Sequence, residues 1–170
     1  MRTYRPCVGI ALFDDAGHVF VGERIQQRDS WQMPQGGIDK GETPLEAARR
    51  ELKEETGVSR ATLLAQTLGW LHYEIPSTKG KHRGQKQVWF AFRVQDKSEI
   101  NVAQQHAEFR SFKFIPLVKT IDSIVGFKRE VYRQVHTLFA AIEGPMPSEE
   151  TRRSFSKIAV TGNVSSHWAF

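Results

Sequence analysis

The sequence predicts an α/β or α+β sandwich in which helices cover a mixed β-sheet. Two observations support this fold class. Several stretches are apolar or have the two-residue alternation of strands, and two longer segments have the apolar spacing of helices. Because strands come before, between and after the two helices, one sheet packed against helices accounts for the order of the elements.

Five stretches of the chain are predicted as strands. The first is a buried strand, and a turn with the sequence DDAG at residues 14–17 separates it from the second. The segment SWQMPQGG at residues 30–37 is predicted as a loop, because a proline and paired glycines interrupt it. The predicted strands cover residues 8–13, 19–22, 63–73, 88–94 and 109–114.

The first helix begins at the sequence TPLE. Thr43 can cap it, Pro44 suits its first turn, and Glu46 completes a capping box. Gly57 is a natural C-terminal stop. At about 100° per residue, an apolar stripe faces the sheet, and one flank of the stripe carries three carboxylates spaced i, i+3 and i+4. The stripe is Leu45, Ala48 and Leu52, and the carboxylates belong to Glu51, Glu54 and Glu55.

The second predicted helix covers residues 123–142, where apolar side chains recur with helical spacing. Gly144 and Pro145 end this pattern. The sequence that follows is largely polar and has no periodicity. We therefore predict one domain over residues 1–144 and a polar C-terminal tail over residues 145–170.

Composition limits the classes of protein that the chain can belong to. A chain of 170 residues with 39% hydrophobic residues suits one folded domain. A single cysteine, Cys7, excludes an internal disulfide and a zinc–thiolate site, and its apolar surroundings predict a packed thiol. The first residues lack the apolar region of a secretory signal, and no run of about 18 apolar residues could span a membrane. We expect a cytoplasmic enzyme or binding protein.

The distribution of charge along the sequence is more informative about the ligand than the net charge of +5. The first helix is acidic, whereas residues 2–5, 79–86 and 127–130 are basic. An acidic centre with basic surroundings suits a metal ion that holds a phosphorylated ligand better than it suits a uniform nucleic-acid-binding face.

Two interpretations of the acidic helix compete. The carboxylates could form an ordinary solvated face. However, adjacent like charges cost stability unless a cation lies among them. Oxygen ligands without clusters of cysteine or histidine are what Mg²⁺ requires, and the paired glycines Gly36 and Gly37 before the helix allow its backbone a close approach. These features favour a magnesium site.

One pattern is far more specific. Gly36, five residues, Glu42, seven residues and then RELKEETGV at residues 50–58 resemble the Nudix box, G-x5-E-x7-R-E-U-x-E-E-x-G-U, at every specified position, where U is a bulky aliphatic residue. The wider sequence is similar to the bacterial RNA pyrophosphohydrolase and dinucleoside polyphosphate hydrolase group of that family. The similar segments are YRPCVGI, WQMPQGGI, GQKQVWF, the EF at residues 108–109 and FKREVYRQV. Residues 76–83 depart from the group's pattern.

The resemblance implies a Nudix-type α/β/α sandwich with a central mixed sheet, and a hydrolase that uses Mg²⁺, with Mn²⁺ or another divalent ion as an alternative. It implies that Arg50 orients a glutamate by a bidentate pair. Glu54 is the preferred general base, with Glu51 and Glu108 as rivals. The implied metal ligands are Glu51, Glu54, Glu55, Glu108 and the Gly36 carbonyl.

The resemblance also implies a set of substrate-binding residues. The candidates for the phosphate chain are Arg5, Arg24, Lys86 and Lys128, each of which could instead be an ordinary surface cation. Tyr73 and Phe127 could stack on a base or belong to the core. Trp31 and Trp89 are assigned to the core.

The leading functional prediction is a Mg²⁺-dependent enzyme that removes pyrophosphate from the 5′ end of triphosphorylated RNA and also cleaves dinucleoside polyphosphates. A dinucleoside tetraphosphate hydrolase or a nucleotide-pool sanitising enzyme is the alternative within the same class. A non-catalytic, basic RNA-binding module is the alternative of another class.

Overall fold

The computed structural model describes residues 3–76, 82–104 and 107–144. The predicted tail over residues 145–170 and part of the basic stretch at 79–86 lie outside the described residues. Eight strands in these ranges form one sheet. Their bounds are β1 Tyr4–Phe13, β2 Val19–Arg24, β3 Trp31–Gln32, β4 Gln35–Gly37, β5 Ala61–Gln66, β6 Leu71–Glu74, β7 Gly84–Val94 and β8 Phe109–Ile115.

Three α-helices accompany the sheet: α1 Pro44–Thr56, α2 Thr120–Ser123 and α3 Arg129–Phe139. Short 3₁₀ turns cover Lys97–Glu99, Leu117–Lys119, Gly126–Lys128 and Ala140–Ile142. Within the described part of the chain, no helix is both long enough and apolar enough to cross a membrane.

The sheet is mixed, as predicted. β1 and β7 run parallel in its centre, and the remaining pairs are antiparallel. The two central strands are apolar on both faces because helices cover both. One face of β1 presents Val8, Ile10 and Leu12 to a core that includes residues of α1. The other presents Ala11 and Phe13 to a core that includes residues of α3. The predicted α/β/α sandwich is therefore confirmed.

The predicted ends of α1 are present in the structure. The Thr43 hydroxyl accepts a hydrogen bond from the Glu46 backbone N–H, and the Glu46 carboxylate accepts one from the Thr43 backbone N–H. Gly57 ends the helix with φ of 81°, in the left-handed region that favours glycine. These caps fix where α1 begins and ends, and therefore where its carboxylates lie relative to β1 and β4.

Three sequence predictions about the elements were wrong. The segment 30–37 is not all loop, because β3 and β4 lie within it. The predicted strand 63–73 is two strands separated at residues 67–70, and β5 and β6 pair with different parts of β7. The predicted helix 123–142 is interrupted because Ile124 and Val125 have non-helical backbones before the turn at Gly126.

The predictions for the cysteine and the tryptophans had different outcomes. Cys7 is buried, and burial raises the pKa of its thiol to about 11, so the packed thiol is confirmed. Trp89 lies in the core as predicted. Trp31 is only partly buried, and the Lys113 ammonium lies 3.9 Å from its ring centroid.

Candidate active site

Arg50 organises the acidic flank of α1. Its Nε and Nη2 atoms donate to the two carboxylate oxygens of Glu42, each at 2.8 Å. Its Nη1 donates to Glu51 at 2.7 Å and more weakly to Glu54 at 3.4 Å, and Nη2 also donates to the Gly37 carbonyl at 2.9 Å. The planar guanidinium suits such multiple contacts. The bidentate pair expected of Arg50 is therefore formed, and its partner is Glu42 rather than a predicted metal ligand.

The Arg50 hydrogen bonds lower the pKa of Glu42 to about 2. A carboxyl group whose pKa is lowered by folding stabilises the protein above its ordinary pKa, and that contribution disappears as the pH falls through the folded pKa. We expect Glu42→Gln to reduce the free energy of unfolding above about pH 4.5. The difference from wild type should shrink toward pH 2, as measured by denaturant titration across pH. A difference independent of pH would contradict this assignment.

Two of the α1 carboxylates are withdrawn from water. Glu55 is 5% exposed; its Oε2 accepts a hydrogen bond from the Gln35 backbone N–H at 3.1 Å, while its buried Oε1 has no partner. Burial, reinforced by the charges of Glu108 and Glu51, raises the pKa of Glu55 well above its usual range. Burial also raises the pKa of Glu51. By contrast, 58% of the Glu54 side chain is exposed.

Gly36 and Glu108 meet this cluster from other elements. Gly36 lies in β4, opposite Val8 of β1, and a Cβ atom placed on it would collide with the Glu51 carboxylate. The missing side chain therefore lets that carboxylate lie against the backbone. Glu108 is exposed immediately before β8, and its backbone carbonyl accepts a hydrogen bond from the Ile25 N–H at 2.9 Å.

The carboxylates suit a hard divalent cation. Among the described residues, no three His, Cys, Asp or Glu side chains already converge as a metal site. The unpartnered Glu55 oxygen and the mutual repulsion of Glu51, Glu55 and Glu108 nevertheless provide an oxygen-rich position that a cation would stabilise. Metal ligation by these residues, Glu54 and the Gly36 carbonyl remains a prediction.

A cavity of about 420 Å³ opens beside the carboxylates. Glu51 and Glu108 lie on its wall together with three cations, so opposite charges share one space. Strand pairing explains part of this wall: Arg5 of β1 and Tyr73 of β6 both lie opposite Gln85 of β7, which places the three side chains on the same face of the sheet. The cations on the wall are Arg5, Arg24 and Lys128.

Lys128 is the most unusual of these cations because it is buried. Its Nζ donates to the side-chain oxygens of Gln35 at 3.0 Å and Gln32 at 3.4 Å, and it lies 5.4 Å from the centroid of the Tyr73 ring. Burial, together with the nearby charge of Arg24, lowers its pKa to about 8. A buried ammonium whose hydrogen bonds, within the described ranges, go to neutral oxygens is well suited to an anionic ligand.

The two candidate stacking residues differ in exposure. The rings of Tyr73 and Phe127 lie 5.6 Å apart, and both line the cavity. Tyr73 is only 6% exposed, whereas Phe127 is 39% exposed. Phe127 therefore offers the larger surface on which a base could stack.

The structure does not bring Lys86 into the cavity. Because side chains alternate along β7, Gln85 faces the cavity and Lys86 projects from the opposite face. Its ammonium lies 4.6 Å from the centroid of the Trp70 ring.

Several neutral residues of the cavity wall were not predicted from the sequence. The glutamines in WQMPQGG and GQKQ recur at short intervals, and the two-residue period of the second motif could have revealed a polar face on a strand. Val125 contributes from the segment that was wrongly predicted as helix. The missed residues are Gln27, Gln32, Gln35, Ile75, Gln85 and Val125.

The chain is similar in sequence to curated RNA pyrophosphohydrolases. The RNA pyrophosphohydrolase of Mesorhizobium japonicum is 46% identical over 156 residues, which cover 81% of this chain and 90% of that protein. The RNA pyrophosphohydrolase of Rhodospirillum rubrum is 44% identical over 153 residues, which cover 85% and 92% of the two chains.

Solved structures show the same fold at lower identity. A Caenorhabditis elegans Ap4A hydrolase superposes with a TM-score of 0.62 at 17% identity, over 81% of this chain and 98% of that one. The Escherichia coli dihydroneopterin triphosphate pyrophosphohydrolase gives a TM-score of 0.60 at 20% identity, over 78% and 97% of the two chains. The profile described as NUDIX domain matches residues 3–135. The chain is therefore a member of the NUDIX domain family, whose hydrolases generally use divalent metal ions.

Proposed function

We propose that the protein uses Mg²⁺ to remove pyrophosphate from the 5′ end of triphosphorylated RNA, and that it also cleaves dinucleoside polyphosphates. One observation carries this proposal: the carboxylates Glu51 and Glu108 share a cavity wall with the cations Arg5, Arg24 and Lys128. A polyphosphate needs both groups, because its oxygens are neutralised by cations and by carboxylate-held metal. The names of the sequence relatives support RNA as the substrate.

In the proposed reaction the carboxylates and Arg50 have different roles. A divalent ion held by Glu51, Glu54, Glu55, Glu108 and the Gly36 carbonyl would withdraw charge from the phosphoryl oxygens. Glu54, which is exposed, is the proposed general base for the attacking water, with Glu51 and Glu108 as rivals. Arg50 positions Glu51, and Glu42 in turn holds Arg50.

The cations and Phe127 would bind the rest of the substrate. Arg5 and Lys128 contact the phosphate chain, and Arg24 extends the positive wall toward Glu108. Phe127 stacks on the first base, a contact worth about 1–3 kcal/mol. A dinucleoside polyphosphate presents the same phosphate chain, so the same wall could accept it.

The decisive experiment is a competition between 5′-triphosphorylated RNA and diadenosine tetraphosphate, with the products identified. We expect pyrophosphate release from RNA in Mg²⁺, slower cleavage of the dinucleotide, and loss of both activities in chelator. Cleavage of the dinucleotide alone would favour the tetraphosphate hydrolase. RNA binding without turnover would favour the non-catalytic module.

Variants of the cations test how the phosphate chain is bound. Arg5→Ala and Lys128→Ala should each raise the KM for RNA while leaving metal affinity nearly unchanged, because both cations line the cavity. Arg5→Lys should restore binding only in part, since an ammonium cannot reproduce a bidentate guanidinium. Steady-state kinetics and metal titration provide the two readouts.

Lys86→Ala is the comparison variant, because Lys86 projects from the other face of β7. We expect its KM to change less than that of either cavity variant. Wild-type kinetics in both Arg5→Ala and Lys128→Ala would mean that the phosphate chain binds elsewhere.

A further inference from the structure

Hydrogen-bonded glutamine side chains lie between the carboxylates of α1 and the ammonium group of Lys128. Gln35 lines the cavity, whereas Gln87 lies beneath the wall and is only 1% exposed. Buried amides are almost always hydrogen-bonded, and their partners determine which end faces which way. The neighbours of these two glutamines therefore fix the arrangement of the cavity wall.

Gln35 connects the two halves of the candidate site. Its backbone N–H donates to Glu55 Oε2 at 3.1 Å, and its side-chain oxygen accepts from Lys128 Nζ at 3.0 Å. One residue thus contacts a predicted metal ligand through its backbone and a predicted phosphate-binding cation through its side chain.

Gln87 fixes the orientation of that side chain. The indole N–H of Trp89 can only donate, and it donates to Gln87 Oε1 at 3.0 Å. Trp89 lies in the core, so its N–H direction is fixed. The amide nitrogen of Gln87 must then face the other way, where it donates to Gln35 Oε1 at 3.4 Å and to Gln85 Oε1 at 3.2 Å.

This orientation determines how many hydrogen-bond donors of the Lys128 ammonium group remain for a ligand. The ammonium has three donors. Gln35 and Gln32 accept two of them through their side-chain oxygens. If the Gln35 amide were reversed, its NH₂ group would oppose the ammonium and Lys128 would move.

We propose that Gln87 is a positioning residue for polyphosphate binding, which acts by holding the Gln35 oxygen toward Lys128 so that the remaining ammonium donor faces the cavity. This inference rests on the proposed function, because it assumes that a phosphate chain occupies that cavity. Gln87 itself is too deeply buried to contact the substrate.

A double-mutant cycle tests the proposal. Gln87→Met keeps the approximate size but removes both amide contacts. We expect it to raise the KM for triphosphorylated RNA about ten-fold with a smaller change in kcat, as for residues coupled within one hydrogen-bond network. In the Lys128→Met background the same change should have almost no further effect. Equal effects on the KM in both backgrounds would show that Gln87 has only a structural role and would overturn the proposal.

A second variant tests the same contact in case Gln87→Met does not fold. Gln35→Met preserves the backbone N–H bond to Glu55 but removes the oxygen that Lys128 contacts. It should give the same rise in KM, again only when Lys128 is present. A wild-type KM in Gln35→Met would also overturn the proposal.

Binding of inorganic triphosphate, measured by calorimetry on the same proteins, separates this inference from the proposed function. Coupling between Gln87 and Lys128 in triphosphate binding, without hydrolysis of RNA by the wild-type protein, would contradict the function and support the inference. RNA hydrolysis with additive effects of the two variants would contradict the inference alone.

Discussion

Glu54→Gln is expected to reduce turnover of triphosphorylated RNA by about two orders of magnitude or more, within the range for loss of a general base. The amide keeps the shape of the side chain but cannot accept a proton from water. Stability should change little, because the side chain is largely exposed and its contact with Arg50 is 3.4 Å long. Single-turnover kinetics at saturating Mg²⁺, together with thermal unfolding, provide the measurement.

Glu130→Gln is the matched control, since Glu130 is exposed on α3 and, among the residues that the structure describes, pairs with neighbours on its own helix. We expect wild-type turnover in this variant. If Glu54→Gln also cleaves RNA at nearly the wild-type rate, Glu54 is not the general base, and Glu51 and Glu108 become the candidates.

Gly36→Ala is expected to lower turnover about 100-fold, the scale on which a displaced catalytic group costs activity. The new Cβ would occupy the position of the Glu51 carboxylate. That carboxylate ends a flexible side chain, so it can move away while the fold is retained. The variant should therefore bind the divalent ion more weakly but unfold at nearly the wild-type temperature.

Gly69→Ala provides the comparison, because a Cβ on Gly69 would meet no atom within 4 Å. Metal titration and turnover should be unchanged in it. Turnover of Gly36→Ala within three-fold of the wild-type rate would show that the position of Glu51 against β4 is not needed for catalysis, since a displacement is expected to cost about 100-fold.

Local signals predicted the parts of the structure that local interactions determine. The limits of α1 depend on Thr43, Glu46 and Gly57, whose capping contacts lie within a few residues. The apolar runs of β1 and β7 likewise predicted strands, and both strands lie in the centre of the sheet. Because α1 carries Glu51, Glu54 and Glu55, the placement of these three carboxylates along one helix was predictable from local signals.

The basic side of the site depends on long-range pairing, which periodicity does not reveal. Lys86 matched a motif, but the alternation of β7 directs it toward Trp70 and directs Gln85 into the cavity. The burial of Lys128 depends on Gln32 and Gln35, which are distant in sequence. Motif matches identified both Lys86 and Lys128. Only the tertiary structure shows that one lies outside the cavity and the other lines it.

The parallel pairing of β1 with β7 also has a consequence for folding. The pairing joins the start of the chain to its middle over ten residues, and closing so long a loop costs entropy before contacts compensate for it. A nascent chain therefore carries β1 without its parallel partner until β7 has been synthesised, which leaves an apolar strand open to aggregation. Because Arg5 and Gln85 are register partners, the cavity wall that they line cannot form before this step. Recovery of activity during refolding should follow the slowest phase of sheet formation rather than the formation of α1.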